Sequence, residues 1–157
     1  MPPSLLFDIS GIDLNKLLYG PEEIRKYNQQ RGDMEHLNGI VYADLEKGHV
    51  IGFKDVRHDE FWVAGHVPGR PLLPGVLMIE AAAQLASFYT KAYLKWDGFL
   101  GFGGVDECKF RLPVLPGNRM YILGRQVWAR HRRLCCDMQG LVNGNLIFQC
   151  QVTGTQL

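Results

Sequence analysis

The 157-residue sequence lacks both long uncharged apolar runs and concentrations of basic residues. Its longest apolar run, from Val76 to Ala86, is interrupted by Glu80 and Gln84. A bilayer-spanning helix needs about 18 or more largely apolar residues, so none is predicted. The N-terminus lacks the basic start and apolar core of a signal peptide, and a formal net charge of +1 does not favour nucleic acid as a partner. We therefore expect a soluble cytoplasmic protein that binds neither membranes nor nucleic acid.

Motifs for metals, nucleotides and serine hydrolysis are also missing. There is no G-x-S-x-G elbow, no P-loop and no H-E-x-x-H pair. The glycines of segment 101–104 lack the last glycine of a dinucleotide-binding motif and lead into a predicted strand. The cysteines show no C-x-x-C spacing, so they predict neither a disulfide nor a zinc site. They are Cys108, Cys135, Cys136 and Cys150. The sequence thus predicts no metal and no cofactor.

The length suits a single domain over residues 1–157, with a helical lead-in over residues 1–36. Asp13 is predicted to cap a short helix over 14–19, and Pro21 to begin a second helix. Turn residues separate stretches typical of antiparallel strands. The predicted strands are 40–44, 49–56, 61–64, 100–111, 119–130, 134–142 and 146–153.

One long helix is predicted from Pro74 to about Trp96, because proline is favoured in a first turn and helix formers follow without Gly or Pro. Its first half is apolar nearly all round, which predicts burial on every side. One buried helix beside a run of antiparallel strands gives an α+β fold.

Glu80 is the first candidate functional residue, because a carboxylate in the second turn of an apolar helix carries a large desolvation cost. It must be paired, protonated or used in chemistry. The alternative is that Glu80 faces a solvent groove or bonds to Gln84 one turn later.

His66 is the second candidate. A lone histidine is usually structural, but His66 lies between glycines and prolines in a tight loop that leads directly into the helix of Glu80. The other histidines have no comparable context and are interpreted as structural or surface residues. These are His36, His49, His58 and His131.

Segment 65–84 closely resembles the active-site stretch of bacterial 3-hydroxyacyl-[acyl-carrier-protein] dehydratases of the FabZ/FabA type. It carries the pattern G-H-x-P-G-x-P-x-x-P-G-x-x-x-x-E, in which His66 and Glu80 are 14 positions apart. The acid is Glu, as in the FabZ branch, which favours dehydration without isomerisation. The resemblance continues through residues 104–118 and covers roughly residues 37–155.

The resemblance implies a hotdog fold, in which an antiparallel sheet wraps round the long helix. It also implies conversion of a (3R)-hydroxyacyl-[acyl-carrier-protein] to the trans-2-enoyl thioester in fatty-acid biosynthesis or a related acyl pathway. As a hypothesis, His66 abstracts the α-proton and Glu80 assists loss of the β-hydroxyl. The N–H of Gly75, at the helix N-terminus, would polarise the thioester carbonyl. Gln84 would orient Glu80, or be only a polar contact.

Partners follow from the same resemblance. The expected assembly is a homodimer that takes His66 from one chain and Glu80 from the other, with a trimer of dimers as a higher assembly. The acyl chain would lie in an apolar tunnel, although each candidate wall residue could equally be plain core; these are Met78, Phe102, Phe110 and Leu112. An acidic carrier protein would dock on basic residues, or these form a solvated strand face; they are Lys109, Arg111, Arg125, Arg130, Arg132 and Arg133.

Two departures from the family pattern bear on substrate choice. Residues 31–37 replace the usual His-Arg-x-Pro-Phe-Leu-Leu-Val-Asp motif, and Val67 stands where the family usually has Phe. Two other functions stay open: an acyl-thioester hydrolase on the same fold, and a non-catalytic hotdog that binds acyl carriers or lipids.

Overall fold

The computed structural model describes residues 4–157 and contains one six-stranded antiparallel sheet and one long helix. Along the sheet the strands run in the order β1-β2-β4-β5-β6-β3, so β1 and β3 are its edges. The elements are α1 (Pro21–Arg25), β1 (Gly39–Asp44), β2 (His49–Asp55), α2 (Gly75–Ala92), β3 (Leu100–Phe110), β4 (Arg119–Arg130), β5 (Arg133–Val142) and β6 (Asn145–Gln156), with a 3₁₀ helix at Gly32–Met34.

Tight turns connect neighbouring strands where the sequence predicts them. Asn143 and Gly144 join β5 to β6 with φ values of 51° and 79°. Left-handed backbone at both central positions is what a two-residue hairpin turn of the I′ type requires. The predicted strands at 40–44, 49–56, 100–111, 119–130, 134–142 and 146–153 are confirmed within a few residues at their ends.

Helix α2 packs against the inner face of the sheet and contacts β2 through β6. Met78, Leu85 and Phe88 are buried, and Phe88 packs edge-on against Tyr19 and Tyr27 of the N-terminal segment. The helix ends four residues before the predicted Trp96, because Lys95 is left-handed at φ 61° and the Trp96 N–H bonds to the carbonyl of Thr90. This bond satisfies one of the carbonyls that the end of the helix leaves without an intrahelical partner.

Burial of the first half of α2 on all sides is wrong for a single chain. Val76 is 71% exposed, and Ile79, Glu80 and Ala83 are only half-buried. These positions recur at the three-and-four spacing that places side chains on one helix face. One stripe of the helix therefore remains uncovered by its own chain.

The predicted helix over 14–19 is also wrong. The Asp13 side chain accepts a hydrogen bond from the Asn15 N–H, which closes a local turn, and Tyr19 pairs through its backbone with Ile40. Apolar residues between positions 6 and 14 cover the outer face of the sheet, where Ile51 and Phe53 are buried. The covering residues include Leu6, Phe7, Ile9, Ile12 and Leu14. The predicted helical lead-in begins at residues 1–3, which lie outside the described part of the chain; within residues 4–36, only the short α1 and the 3₁₀ helix remain of it.

The predicted strand over 61–64 is a series of turns. The N–H of Val63 bonds to the Glu60 carbonyl, and the Trp62 carbonyl accepts from His66, so the backbone satisfies itself locally. Trp62 is buried while Phe61 is 55% exposed. Among the helices of the described residues, none combines the length and hydropathy that crossing a membrane requires.

Candidate active site

The loop that carries His66 is held in a strained conformation. Val67 has a φ of 58°, a left-handed value that is costly for a β-branched residue, and Gly69 follows at 79°. The Arg70 N–H bonds to the Val67 carbonyl, and the His66 N–H bonds to the Trp62 carbonyl at 2.8 Å. Strain of this kind persists where the surrounding structure imposes it, and it is common at functional sites.

The imidazole of His66 is oriented by the loop itself. Its Nδ1 lies 2.7 Å from the carbonyl oxygen of Leu72. Because a carbonyl can only accept, Nδ1 carries the proton and Nε2 is left with a free lone pair. The exposed ring is thus prepared to accept a proton at Nε2.

His66 opens into a broad groove of about 520 Å³, which we call the His66 groove. Gly75, the first residue of α2, lines the same groove. The first N–H groups of a helix have no hydrogen-bond partner inside the helix. A Cβ at Gly75 would lie 2.9 Å from the ring of Phe110, so a larger residue at this position would require the ring to shift away from the helix start. Three predicted tunnel residues, Met78, Phe110 and Leu112, line this groove.

Glu80 does not line the His66 groove. It lines a smaller cavity of about 90 Å³, which we call the Glu80 cavity, between α2 and the strands β3, β5 and β6. Its other walls are mainly small or apolar side chains, including Ala83, Ala86, Leu100, Phe102, Leu134 and Val152. Burial raises the pKa of the Glu80 carboxyl, and the Gln84 amide partly opposes that shift. A carboxyl with a raised pKa can serve as a proton donor nearer neutral pH.

The structure therefore does not bring all the predicted site residues together in one chain. His66, Gly75, Met78, Phe110 and Leu112 line the His66 groove, whereas Glu80 and Phe102 line the Glu80 cavity. Gln84 lines neither.

Gln84 is instead buried between α2 and the segment before β1. Its Oε1 accepts from the N–H groups of His36 and Leu37 at 2.9 and 3.1 Å, and its Nε2 donates to the Met34 carbonyl at 2.7 Å. Three of its hydrogen-bonding positions thus hold the N-terminal segment against the helix. The predicted orienting role toward Glu80 stays a prediction.

Residues 29–151 match the family described as FabA-like domain. The chain belongs to this family. It is 32% identical over 106 residues to the 3-hydroxyacyl-[acyl-carrier-protein] dehydratase FabZ of Desulfotalea psychrophila, covering 66% of this chain and 71% of that protein. It is 41% identical over 97 residues to the FabZ of Alkaliphilus metalliredigens, covering 61% and 65% respectively.

A solved structure agrees in fold. The dehydratase heterocomplex ApeI:P from Xenorhabdus doucetiae matches with a TM-score of 0.72 at 15% identity, covering 85% of this chain and 90% of that one. The predicted family resemblance and the hotdog fold are both confirmed.

The FabA-like chain also contains a buried cluster that sequence reasoning missed. Lys54 lies 2.7 Å from Glu60 and 3.1 Å from Nδ1 of His36, and all three residues are buried. A signal was available, because strand alternation places Lys54 on the same face as Val50, which is in the core under α2. A lysine on a core-facing strand position needs a buried partner.

The predicted basic docking residues do not form one patch. Arg125 pairs with Asp137 at 3.0 Å and donates to the Leu6 carbonyl. Arg130 and Arg133 lie over the ring of Trp128 beside the β4–β5 turn. Of the six, Arg111 lines the His66 groove, and Lys109 precedes it on β3.

Proposed function

We propose that this FabA-like chain dehydrates (3R)-hydroxyacyl-[acyl-carrier-protein] to trans-2-enoyl-[acyl-carrier-protein], in fatty-acid biosynthesis or a related acyl pathway. The observation that supports this proposal most directly is that His66 and the start of α2 line the same groove. A histidine with a fixed tautomer and an unpaired helix N-terminus line one groove. The two FabZ relatives, which are named for this reaction, support it.

In the proposed mechanism, Nε2 of His66 takes the α-proton of the substrate. The N–H of Gly75 stabilises the negative charge that develops on the thioester oxygen. Glu80 then gives its proton to the departing β-hydroxyl, the C–O bond breaks, and the Cα–Cβ double bond forms as water leaves. The raised pKa of Glu80 suits this acid role, because the carboxyl keeps its proton at higher pH.

We further propose that the active enzyme is a homodimer with shared active sites. His66 and Glu80 line separate cavities in one chain, which supports a site that takes one of these residues from each of two copies. The exposed stripe of α2 around Val76 and the edge strand β3 provide an uncovered surface for that copy. Further association into a trimer of dimers stays a prediction.

The acyl group is proposed to reach between the two cavities, with Met78, Phe102, Phe110 and Leu112 as apolar walls. Arg111 at the edge of the His66 groove, with Lys109 nearby, is our candidate contact for the acidic carrier protein. Cytoplasmic location, the absence of a cofactor and a single domain over residues 1–157 stay predictions.

The test is formation of enoyl product from a 3-hydroxyacyl carrier-protein thioester, with free thiol measured in parallel. We expect enoyl product from the wild type and a loss of about 10²-fold or more in His66→Ala and Glu80→Gln. The exposed residues His58 and Glu46 provide matched controls, His58→Ala and Glu46→Gln, which should stay active.

Either of two other results would replace the proposal. Free thiol without enoyl product would indicate the acyl-thioester hydrolase. Neither product across several chain lengths would indicate a non-catalytic acyl-carrier or lipid-binding hotdog.

A further inference from the structure

Lys54 and Glu60 form an ion pair with almost no solvent contact. Their side chains are 0% and 4% exposed, whereas each of the other ion pairs among the described residues has a partner at least 41% exposed. Neither residue lines the His66 groove or the Glu80 cavity. A buried charge pair that is remote from substrate needs another explanation, because such pairs are generally a weak source of stability.

Glu60 and His66 lie in one short segment that local hydrogen bonds hold. Its Oε2 accepts from the Arg57 N–H at 2.8 Å, and its backbone carbonyl accepts from the Val63 N–H at 3.1 Å. The side chain of Trp62 is buried, and the backbone carbonyl of Trp62 accepts a hydrogen bond from the His66 N–H at 2.8 Å. Residues 57–66 contain neither helix nor strand, so these bonds and the burial of Trp62 hold the segment in place.

Lys54 is held in place by the sheet and by contacts that lead to α2. It pairs in register with Met120 of β4, and its ammonium group donates to Nδ1 of His36 at 3.1 Å. The His36 N–H in turn bonds to the side chain of Gln84 on α2. The ammonium group is therefore held by the sheet and, through His36 and Gln84, by the helix.

The charge states of the cluster suit this arrangement. Burial and the nearby Lys54 lower the pKa of His36 to about 4, which leaves its ring neutral and Nδ1 free to accept. Burial alone would raise the pKa of Glu60, but hydrogen bonds from Lys54 and the Arg57 N–H outweigh burial and lower it. The carboxylate thus stays ionised. Burial lowers the pKa of Lys54, and the hydrogen bond to Glu60 opposes that shift and favours the ammonium form.

We propose that Lys54 and Glu60 are positioning residues for His66, holding its loop at a fixed distance from the start of α2. The proposal rests on the dehydratase function proposed above. A catalytic base must sit within a few tenths of an ångström of its working position, and an ion pair fixes both distance and direction where apolar contacts do not.

The decisive variant is Lys54→Met/Glu60→Leu, which removes both charges together and keeps the core filled. Apolar replacement of a complete buried pair is often neutral for stability, so we expect a folded protein. We expect kcat to fall by about 10-fold to 100-fold while KM changes less than about threefold, because substrate contacts are untouched. The matched control is Asp55→Asn/Arg119→Gln, an exposed ion pair that includes the residue next to Lys54 and should retain wild-type kinetics.

A second measurement reports on the loop that carries His66 and does not depend on catalysis. In ¹⁵N spectra of the imidazoles, the wild type should show His66 with its proton on Nδ1, as the bond to Leu72 requires. The double variant should show a mixture of tautomers, a change that a purely structural role of the pair would not produce.

Wild-type kcat together with an unchanged tautomer in the double variant would overturn the proposal. If that variant fails to fold, Glu60→Asp replaces it, since Asp keeps the charge opposite Lys54 but shortens the side chain by one methylene; unchanged kcat and tautomer there would overturn it equally. An inactive wild type would refute the dehydratase function alone, because the ¹⁵N comparison would still decide whether the pair positions His66.

Discussion

His66 and Glu80 line two different cavities of the same chain, although only 14 positions separate them in the sequence. His66 lies before α2, near the end of β3 at Phe110, whereas Glu80 projects from the second turn of α2 toward Leu100 and Phe102 at the start of β3. The two cavities thus contact opposite ends of the edge strand β3. In the homodimer proposed above, one copy would supply His66 and the other Glu80 to a common site.

Mixing two inactive variants should restore activity. In a dimer with shared sites, a His66→Ala chain and a Glu80→Gln chain together form one site without either group and one site with both. Random association would then give about one quarter of wild-type activity, because half of the dimers are mixed and each has one intact site. Co-expression with two affinity tags and the enoyl assay would check this. Mixtures that stay as inactive as either variant would show that each site is built within one chain.

Glu80→Gln should stabilise the protein increasingly as pH rises. Burial raises the pKa of Glu80 in the folded state above its ordinary value of 4.5. A group with a raised folded pKa contributes stability below its unfolded pKa and loses that contribution as pH rises through the folded pKa. The neutral amide has no such loss. Urea denaturation of both proteins at several pH values from about 4 to 8 would measure the difference. A difference that is constant or shrinks with rising pH would contradict this.

His36→Asn should remove part of the acid sensitivity of the fold. Because the pKa of His36 is lowered to about 4, its contribution to stability is full above the unfolded pKa and is lost as pH falls from about 6.5 to about 4. The corresponding loss is about 3 kcal/mol in the wild type. Asn keeps an acceptor for Lys54 but does not titrate. Parallel slopes of stability against pH for both proteins would show that the ring is not buried in its neutral form.

Gln84→Leu should destabilise the fold by about 3 kcal/mol, since each buried polar group left unpaired costs about 1–3 kcal/mol and the costs overlap. The variant leaves the Met34 carbonyl and the N–H groups of His36 and Leu37 without their partner. Chemical denaturation would measure the change, with the exposed Gln29→Leu as the matched control. Equal stability of the two variants would mean that the N-terminal segment does not depend on this amide.

Much of the architecture could be predicted from local sequence. The Asn143-Gly144 turn requires left-handed backbone that these residues adopt readily, so the β5–β6 hairpin follows from the sequence alone. Pro74 and the uninterrupted helix formers after it likewise predict α2. The failures lie where tertiary contacts override a local preference. Residues 14–19 suit a helix, yet Tyr19 pairs through its backbone with Ile40 and only Leu14 of this segment packs on the outer face of the sheet.

The sequence by itself determined the family, the strands, the long helix and the loop that presents His66, because these depend on residue types at fixed short spacings. Only the tertiary structure decided which groups share a cavity. Phe102 lies with Glu80 and Phe110 with His66, although both belong to β3, because the strand is long enough to reach both cavities. The tertiary structure also decided that Lys54 is buried against Glu60 and His36, since side chains from separate segments must first meet before one can neutralise the charge of another.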